Sequence, residues 1–323
     1  MTTFNLPRFR HSTGVPAIGG VPLLKPVLIS LGLSLTAQAV VISSGGPNNT
    51  APGGQPYFGN VGVLNGASAI YLDNQWVMTA AHVAGSLPAS VSFGGTSYAT
   101  QTGSWQRLTN TGLGSGLTAF ADVVLFRITS SPGLPTLTLR TGAPVAGDDV
   151  MMVGNGRIQA ANLTYWNVNE VSGPSNDVWT EVTLPATFNR SGFKTTAANE
   201  VRWGNNEVDI ADTTINTGSG DTRSFATIYN AVTPEEAQGA VGDSGGATLF
   251  LNGSNWELAG MMHAISTFET QPSLTAIDGN STFHANLSLY APQINAILVT
   301  VPEPSSYLIA GLAGLLCLTK RLR

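Results

Sequence analysis

The sequence predicts an all-β domain between two processed ends, and three observations carry that prediction. Of 323 residues 42% are hydrophobic and only 10% charged, a balance that excludes both a highly charged disordered chain and a coiled coil. The 37 glycines and 18 prolines punctuate the chain with turns. Between those turns lie short runs rich in β-branched and aromatic residues, the composition of strands.

The elements follow in chain order. A basic region precedes the apolar run Val27 to Thr36, and Ala37-Gln38-Ala39 has the small-x-small pattern cut by signal peptidase, so residues 1–39 read as a secretory signal. The run is about half of the ~20 residues that a spanning helix requires. Residues 40–56, dense in Gly, Pro, Ser and Asn, are expected to form a flexible linker. From Tyr57 the pattern changes. Ser68 to Leu72, an Asp73-Asn74 turn and Trp76 to Thr79 read as a hairpin, and Asp122 to Ile128 as a buried strand. Thr248 to Leu251, an Asn252-Gly253 turn and Trp256 to Met262 form a second hairpin. Tyr290, Ile294, Ile297 and Leu298 share one face of a C-terminal helix. Val301-Pro302-Glu303-Pro304 then precedes thirteen mostly apolar residues, Tyr307 to Thr319, and Lys320-Arg321-Leu322-Arg323. At ~1.5 Å per residue this segment covers only about 20 Å of a ~30 Å hydrocarbon layer, and its basic end belongs on the cytoplasmic side, with the domain outside.

Charge and cysteine usage narrow the function. The two ends carry six of the 14 basic residues and one of the 19 acidic ones. The middle therefore keeps eight basic and eighteen acidic residues, a net charge of −10, which disfavours a nucleic-acid groove. The single cysteine, Cys317, lies in the apolar tail, so the domain holds no disulfide, thiolate nucleophile or zinc–thiolate cluster. No phosphate-binding loop or dinucleotide fingerprint occurs. Asp209, Asp212 and Asp221 match no standard Ca²⁺ loop and read as solvated acids. No cofactor or metal is expected.

The residue types that remain suit hydrolysis through serine, which requires an imidazole to take its proton and a carboxylate to hold that imidazole. Outside the signal there are only three histidines, His82, His263 and His284. His82 ends a hydrophobic strand in Thr79-Ala80-Ala81-His82. Asp122 opens an apolar strand, where a buried carboxylate must find partners. Ser244 stands in Gly242-Asp243-Ser244-Gly245-Gly246, whose glycines permit a backbone that aims N–H groups into one cavity.

In these motifs, and in their order His, Asp, Ser, the chain resembles the chymotrypsin-like, or trypsin-like, serine peptidases over about residues 57–298. The resemblance implies two antiparallel six-stranded β-barrels, about 57–150 and 151–300, with a catalytic cleft between them and a C-terminal helix. By the same resemblance Ser244 is the nucleophile, His82 the general acid and base, and Asp122 the orienting carboxylate. The N–H groups of Gly242 and Ser244 form the oxyanion hole, Asp243 supports it, and Gln238, His263 and Ile265 border the specificity pocket. His263 and His284 are expected to be chiefly structural. Gln238 stands where relatives that cleave after Lys or Arg carry aspartate, and Ile265 narrows the pocket, so small or apolar substrate residues are expected. Val83 and Ala240 replace cysteines of animal relatives. The 121 residues between Asp122 and Ser244 exceed the family's usual spacing, so part of 158–232 is expected to be enlarged loops. No Ile-Val-Gly-Gly activation site precedes His82. Signal cleavage would instead expose Val40-Val41-Ile42, an apolar terminus able to pair with Asp243, although a disordered linker end is the favoured expectation.

The C-terminal 301–323 resembles the PEP-CTERM sorting signal of Gram-negative bacteria. That resemblance implies transient membrane insertion, removal by an exosortase-type enzyme and delivery to the envelope, surface or extracellular matrix. The expected partners are thus a protein or peptide substrate, signal peptidase and the sorting enzyme. An exported serine endopeptidase is the leading expectation; a non-catalytic matrix or adhesion protein of the same fold, or an esterase using the same triad, are its alternatives.

Overall fold

A computed structural model describes residues 40–44, 48–170 and 174–300. The signal and sorting assignments, on 1–39 and 301–323, lie outside the described residues. The strands run β1 (Val41–Ile42), β2 (Val61–Leu64), β3 (Ala67–Asp73), β4 (Trp76–Thr79), β5 (Ser90–Phe93), β6 (Thr96–Ala99), β7 (Gln106–Thr109) and β8 (Phe120–Arg127). They continue as β9 (Asp149–Asn169), β10 (Val178–Val182), β11 (Arg190–Glu207), β12 (Ile210–Asn216), β13 (Asp221–Ile228) and β14 (Ala237–Gln238). The last are β15 (Ala247–Asn252), β16 (Asn255–Ser266), β17 (Thr275–Ile277) and β18 (Ser281–Asn286), followed by helix α1 (Leu287–Leu298).

Among the described residues two large antiparallel sheets, the small pair β1–β14 and the C-terminal helix give the expected all-β class. The first has seven strands in the order β6-β5-β2-β3-β4-β8-β7, and the second has nine, β12-β13-β18-β16-β15-β9-β11-β17 with β10 beside β9. Neither closes into a six-stranded barrel. In the first, the bridge Thr100↔Ile128 brings the end of β6 back to the end of β8, so the sheet curls toward closure through a single bridge.

Alternation explains why both faces of the first sheet are apolar. In β8, Val123 and Leu125 enter the large central core, whereas Val124 and Phe126 fill a second core with Tyr71, Val77 and Phe93. The central core is shared: Ile70, Trp76 and Met78 of the first sheet meet Met151, Val153, Leu249 and Met261 of the second. Helix α1 closes that core with Leu287, Tyr290, Ile294 and Ile297. The Tyr290 hydroxyl donates to Asn110 Oδ1 at 2.9 Å, which pins the helix to the turn after β7.

Two expectations are corrected. Part of 158–232 was expected to be enlarged loops, but β9 and β11 pair from Glu207↔Asp149 to Arg190↔Trp166, interrupted only by irregularities near Thr195. The alternation Leu163-Thr164-Tyr165-Trp166-Asn167-Val168 suits a long ribbon better than a loop. Nor do the described residues 40–44 and 48–56 form a free linker. Val40, Val41 and Ile42 are fully or nearly fully buried, and β1 pairs with β14. The Trp203 indole N–H donates to the Thr50 carbonyl (2.8 Å) and that of Trp256 to the Gly54 carbonyl (3.1 Å). Its glycines and prolines let the strap follow the second sheet while side chains from that sheet satisfy its backbone.

Candidate active site

The site forms where the two sheets meet. On the first sheet, β4 ends at Thr79 and a short turn delivers His82, while the neighbouring β8 delivers Asp122. Asp122 is completely buried, and its carboxylate is satisfied by the residues that converge on it. Oδ1 accepts the His82 backbone N–H (2.8 Å), and Oδ2 accepts both His82 Nδ1–H and the Thr217 hydroxyl, each at 2.7 Å. The Asp122 N–H donates to Thr222 Oγ1 at 2.8 Å. The His82 tautomer follows: with Nδ1 carrying the proton, Nε2 is left as the basic nitrogen.

Electrostatics follow from this packing. Burial alone would push the Asp122 carboxyl up, but hydrogen bonding and charge from His263 and His82 hold it well below the usual carboxylate range. Burial pulls the His82 imidazole down, and the hydrogen bond and charge of Asp122 outweigh it, leaving it above 6.5. His82 acts as a base only when unprotonated, so kcat/KM is expected to rise with pH through a midpoint above 6.5. A pH–rate profile checks this; a midpoint below that value would contradict the His82–Asp122 coupling.

Ser244 is half-buried and lies on the second sheet's turn into β15. Its carbonyl accepts the Ser68 N–H at 2.9 Å, the Gly242 carbonyl accepts the Ser68 hydroxyl at 2.8 Å, and Thr79 Oγ1 donates to the Ser68 carbonyl at 2.7 Å. A Cβ on Gly245 would lie 2.1 Å from the Ser68 oxygen and 2.3 Å from Thr79 Oγ1. Ser244 is thus seated against the strand end three residues before His82. Only glycine fits at 245, where φ is also +86°. No hydrogen bond joins the Ser244 hydroxyl to His82 among the described residues; such bonds often form only when substrate excludes water.

Gly242 has φ +103°, and the Asp243 N–H is engaged by the Ala240 carbonyl at 3.0 Å. These bonds leave the N–H groups of Gly242 and Ser244 as the donors of this turn that they do not use. Beneath them Asp243 is buried. Its Oδ2 accepts the Ala240 N–H at 2.8 Å, and the Val40 N–H also lies against the carboxylate. Burial pushes the Asp243 carboxyl well above its ordinary value, against those two backbone bonds. Among the described residues no ion pair with Asp243 occurs. Gly154 leaves room for it, since a Cβ there would fall 2.1 Å from Asp243 Oδ1.

The remaining candidates divide. Gln238 is buried with its Nε2–H donating to Asn280 Oδ1 at 3.2 Å, and Ile265 is half-buried on β16. His263, expected to border the specificity pocket and to be chiefly structural, lies against Asp122, its Nδ1 3.7 Å from Asp122 Oδ2. The register of β16 against β18 shifts between Met262 and Ala264, and such a bulge re-aims the side chain it carries. His284 is structural, held between Thr248 Oγ1 (2.7 Å) and Thr227 Oγ1 (3.2 Å), and burial pushes it down to about 3. The three acids of the second sheet work separately. Asp212 makes a bidentate pair with Arg223, Asp209 accepts the Ile228 N–H, and Asp221 accepts the Thr118 N–H. Among the described residues no cluster of His, Cys, Asp or Glu is arranged to hold a metal. Thr217 and Thr222 carry no signal in the sequence, since their contacts with Asp122 span about a hundred residues.

Residues 67–261 match the family of trypsin-like peptidase domains, more than half of the chain. The chain belongs to the trypsin-like peptidase family. Solved structures similar to it are found at low identity. An inactive form of Rv3671c from M. tuberculosis is 16% identical with a TM-score of 0.40, covering 76% of this chain and 90% of that one. Human heparin binding protein is 15% identical with a TM-score of 0.45, covering 78% and 97%. Comparison with curated proteins gives no match.

Proposed function

We propose that the protein is an exported serine endopeptidase in which Ser244 attacks the peptide carbonyl, His82 takes and returns the proton, and Asp122 orients His82. The observation that carries this reading is the His82–Asp122 pair, a fully buried carboxylate 2.7 Å from Nδ1, seated beside the Ser244 turn. A trypsin-like domain acting on protein or peptide fits the family match. As Ser244 Oγ bonds to the carbonyl carbon, its proton passes to His82 Nε2. The N–H groups of Gly242 and Ser244 stabilise the oxyanion, a donor of this kind contributing about 3 kcal/mol. Collapse of the tetrahedral species expels the amine, which takes the proton from His82, and water then releases the acyl group by the same path.

Export through the signal at 1–39 and retention through the tail at 301–323 complete the proposal. Cleavage after Ala39 would also turn the Val40 N–H, which lies against Asp243, into a charged amine beside a buried carboxylate. The burial of Val40 to Ile42 favours this role over a disordered linker end. The expected substrate residue before the scissile bond is small or apolar, because Gln238 offers no charge and Ile265, by the family resemblance, would narrow the entrance.

A peptide-library digest by the purified protein tests the reading. Cleavage concentrated after small or apolar residues, and blocked by a phosphonate inhibitor, is expected. No cleavage would overturn the peptidase, and hydrolysis of simple acyl esters alone would favour the esterase.

A further inference from the structure

The Ser68 hydroxyl takes no part in the proton path above, yet it is bonded on both sides to backbone that shapes the Ser244 turn. Ser68 is wholly buried on β3. Its Oγ accepts the Asn155 N–H of β9 at 2.7 Å and donates to the Gly242 carbonyl at 2.8 Å. Both directions are fixed, because a backbone N–H only donates and a backbone carbonyl only accepts. The bond to Asn155 has a structural origin. β15 pairs with β9 from Phe250↔Val150 to Ala247↔Val153 and goes no further, so Asn155, two residues on, has no strand beside it on that edge. A side chain from the first sheet takes the N–H that a strand would otherwise accept.

The turn can be followed peptide by peptide. The peptide joining Gly242 to Asp243 is held at both ends, its carbonyl by the Ser68 hydroxyl and its N–H by the Ala240 carbonyl at 3.0 Å. The peptide joining Ser244 to Gly245 is also held at both ends, its carbonyl by the Ser68 N–H at 2.9 Å and its N–H by the Met262 carbonyl at 2.8 Å. Between them lies the peptide that carries the Ser244 N–H, with its carbonyl accepting the Gly246 N–H at 2.7 Å. Ser68 therefore bonds each of the two peptides that flank the Ser244 nitrogen, one through its side chain and one through its backbone.

We propose that Ser68 is a positioning residue of the oxyanion hole, its hydroxyl tying the Gly242–Asp243 peptide to the backbone of β9 so that the Gly242 and Ser244 N–H groups stay aimed at one point. The proposal rests on the reading of Ser244 as the nucleophile. Gly242, at φ +103°, gives this peptide a freedom to turn that other residues would lack. The Ser68 hydroxyl removes that freedom before substrate arrives, and donors already in place cost no reorganisation when charge develops on the substrate oxygen. The same side chain joins three parts of the molecule, since β3 belongs to the first sheet, Asn155 to the second and Gly242 to the turn. Any separation of the two sheets at this point would loosen the hole directly.

Hydrogen exchange tests the bonds, and kinetics tests their use. In purified protein carrying Ser244→Ala, which removes self-digestion, the Asn155 and Asp243 amides are expected to exchange about as slowly as those of the buried strand β8. Fast exchange at Asn155 would overturn the proposal with no further variant. Adding Ser68→Ala should speed exchange at both amides by roughly tenfold or more relative to β8. With Ser244 present, Ser68→Ala is expected to lower kcat by roughly 10- to 100-fold, less than the loss of a whole donor, while KM changes by less than about twofold. Ser68→Gly removes the same hydroxyl and serves if the alanine variant fails to fold by near-ultraviolet circular dichroism. An unchanged kcat in a folded variant, or a loss confined to KM, would overturn the positioning role. Because exchange does not depend on turnover, an inert protein in which Ser68 protects both amides would sink the peptidase reading and leave the Asn155–Ser68–Gly242 link standing.

Discussion

Asp122→Asn is expected to lower kcat by about 10⁴ with little change in KM, a loss of the size produced when a triad imidazole takes the wrong tautomer. The cause lies in the donors around the carboxylate. Oδ1 meets the His82 N–H and Oδ2 meets His82 Nδ1–H, so both oxygens face protons that cannot turn away. An amide has one oxygen. Whichever way it sits, its NH₂ confronts a donor of His82. The backbone N–H cannot change, so the amide oxygen goes there and the NH₂ forces the ring to present a bare Nδ1. The proton then moves to Nε2, the nitrogen that must accept from Ser244. The Thr217 hydroxyl can rotate and accept instead, so the fold should survive with a loss of about 1–3 kcal/mol. Steady-state kinetics together with urea unfolding check both parts. A variant retaining more than a tenth of wild-type kcat would contradict the orienting role of Asp122.

Adding a single residue before a Val40 N-terminus is expected to lower kcat by about 10²–10³, the loss that follows when an oxyanion-hole donor is misplaced. Asp243 is buried, and burial holds its carboxyl well above the ordinary value, so its charged form requires a cation. The Val40 amine, ordinarily charged below about pH 8, is the group placed to supply it. Pairing would depress Asp243 relative to the extended chain. The stability that the pairing adds over the extended chain is present while the carboxylate is charged and is lost as falling pH protonates it. The mature chain should accordingly be more stable than the extended chain at neutral pH, with the difference disappearing in acid. Paired measurements of kcat and thermal midpoint on the two chains check this. Equal activity would show that Val40 acts only as part of the strap.

Much of the fold was legible in the sequence, and the reasons are local. The hairpin β3–β4 announces itself because a polar turn separates two apolar runs, although the residues with positive φ are Asn74 and Gln75 rather than Asp73. Helix α1 follows from the recurrence of Tyr290, Ile294 and Ile297 on one face. The residues of the proposed triad were visible because glycines, small residues and one charge stand out against apolar strands. What escaped is long-range. The strap at 40–56 reads as flexible because its order comes from Trp203 and Trp256, about 150 and 200 residues away. Thr217 reaches Asp122 from a turn between β12 and β13, which no motif marks. The contact of His263 with Asp122 depends on a register irregularity between Met262 and Ala264, and strand alternation in the sequence does not show where such a slip falls.

The most direct measurement is covalent labelling of the purified protein with a fluorophosphonate, followed by identification of the modified residue. The hydrolytic reading requires one adduct, on Ser244, that vanishes in Ser244→Ala and is strongly slowed in Asp122→Asn. Absence of labelling at Ser244 in a folded protein, or labelling unaffected by the loss of Asp122, would contradict it.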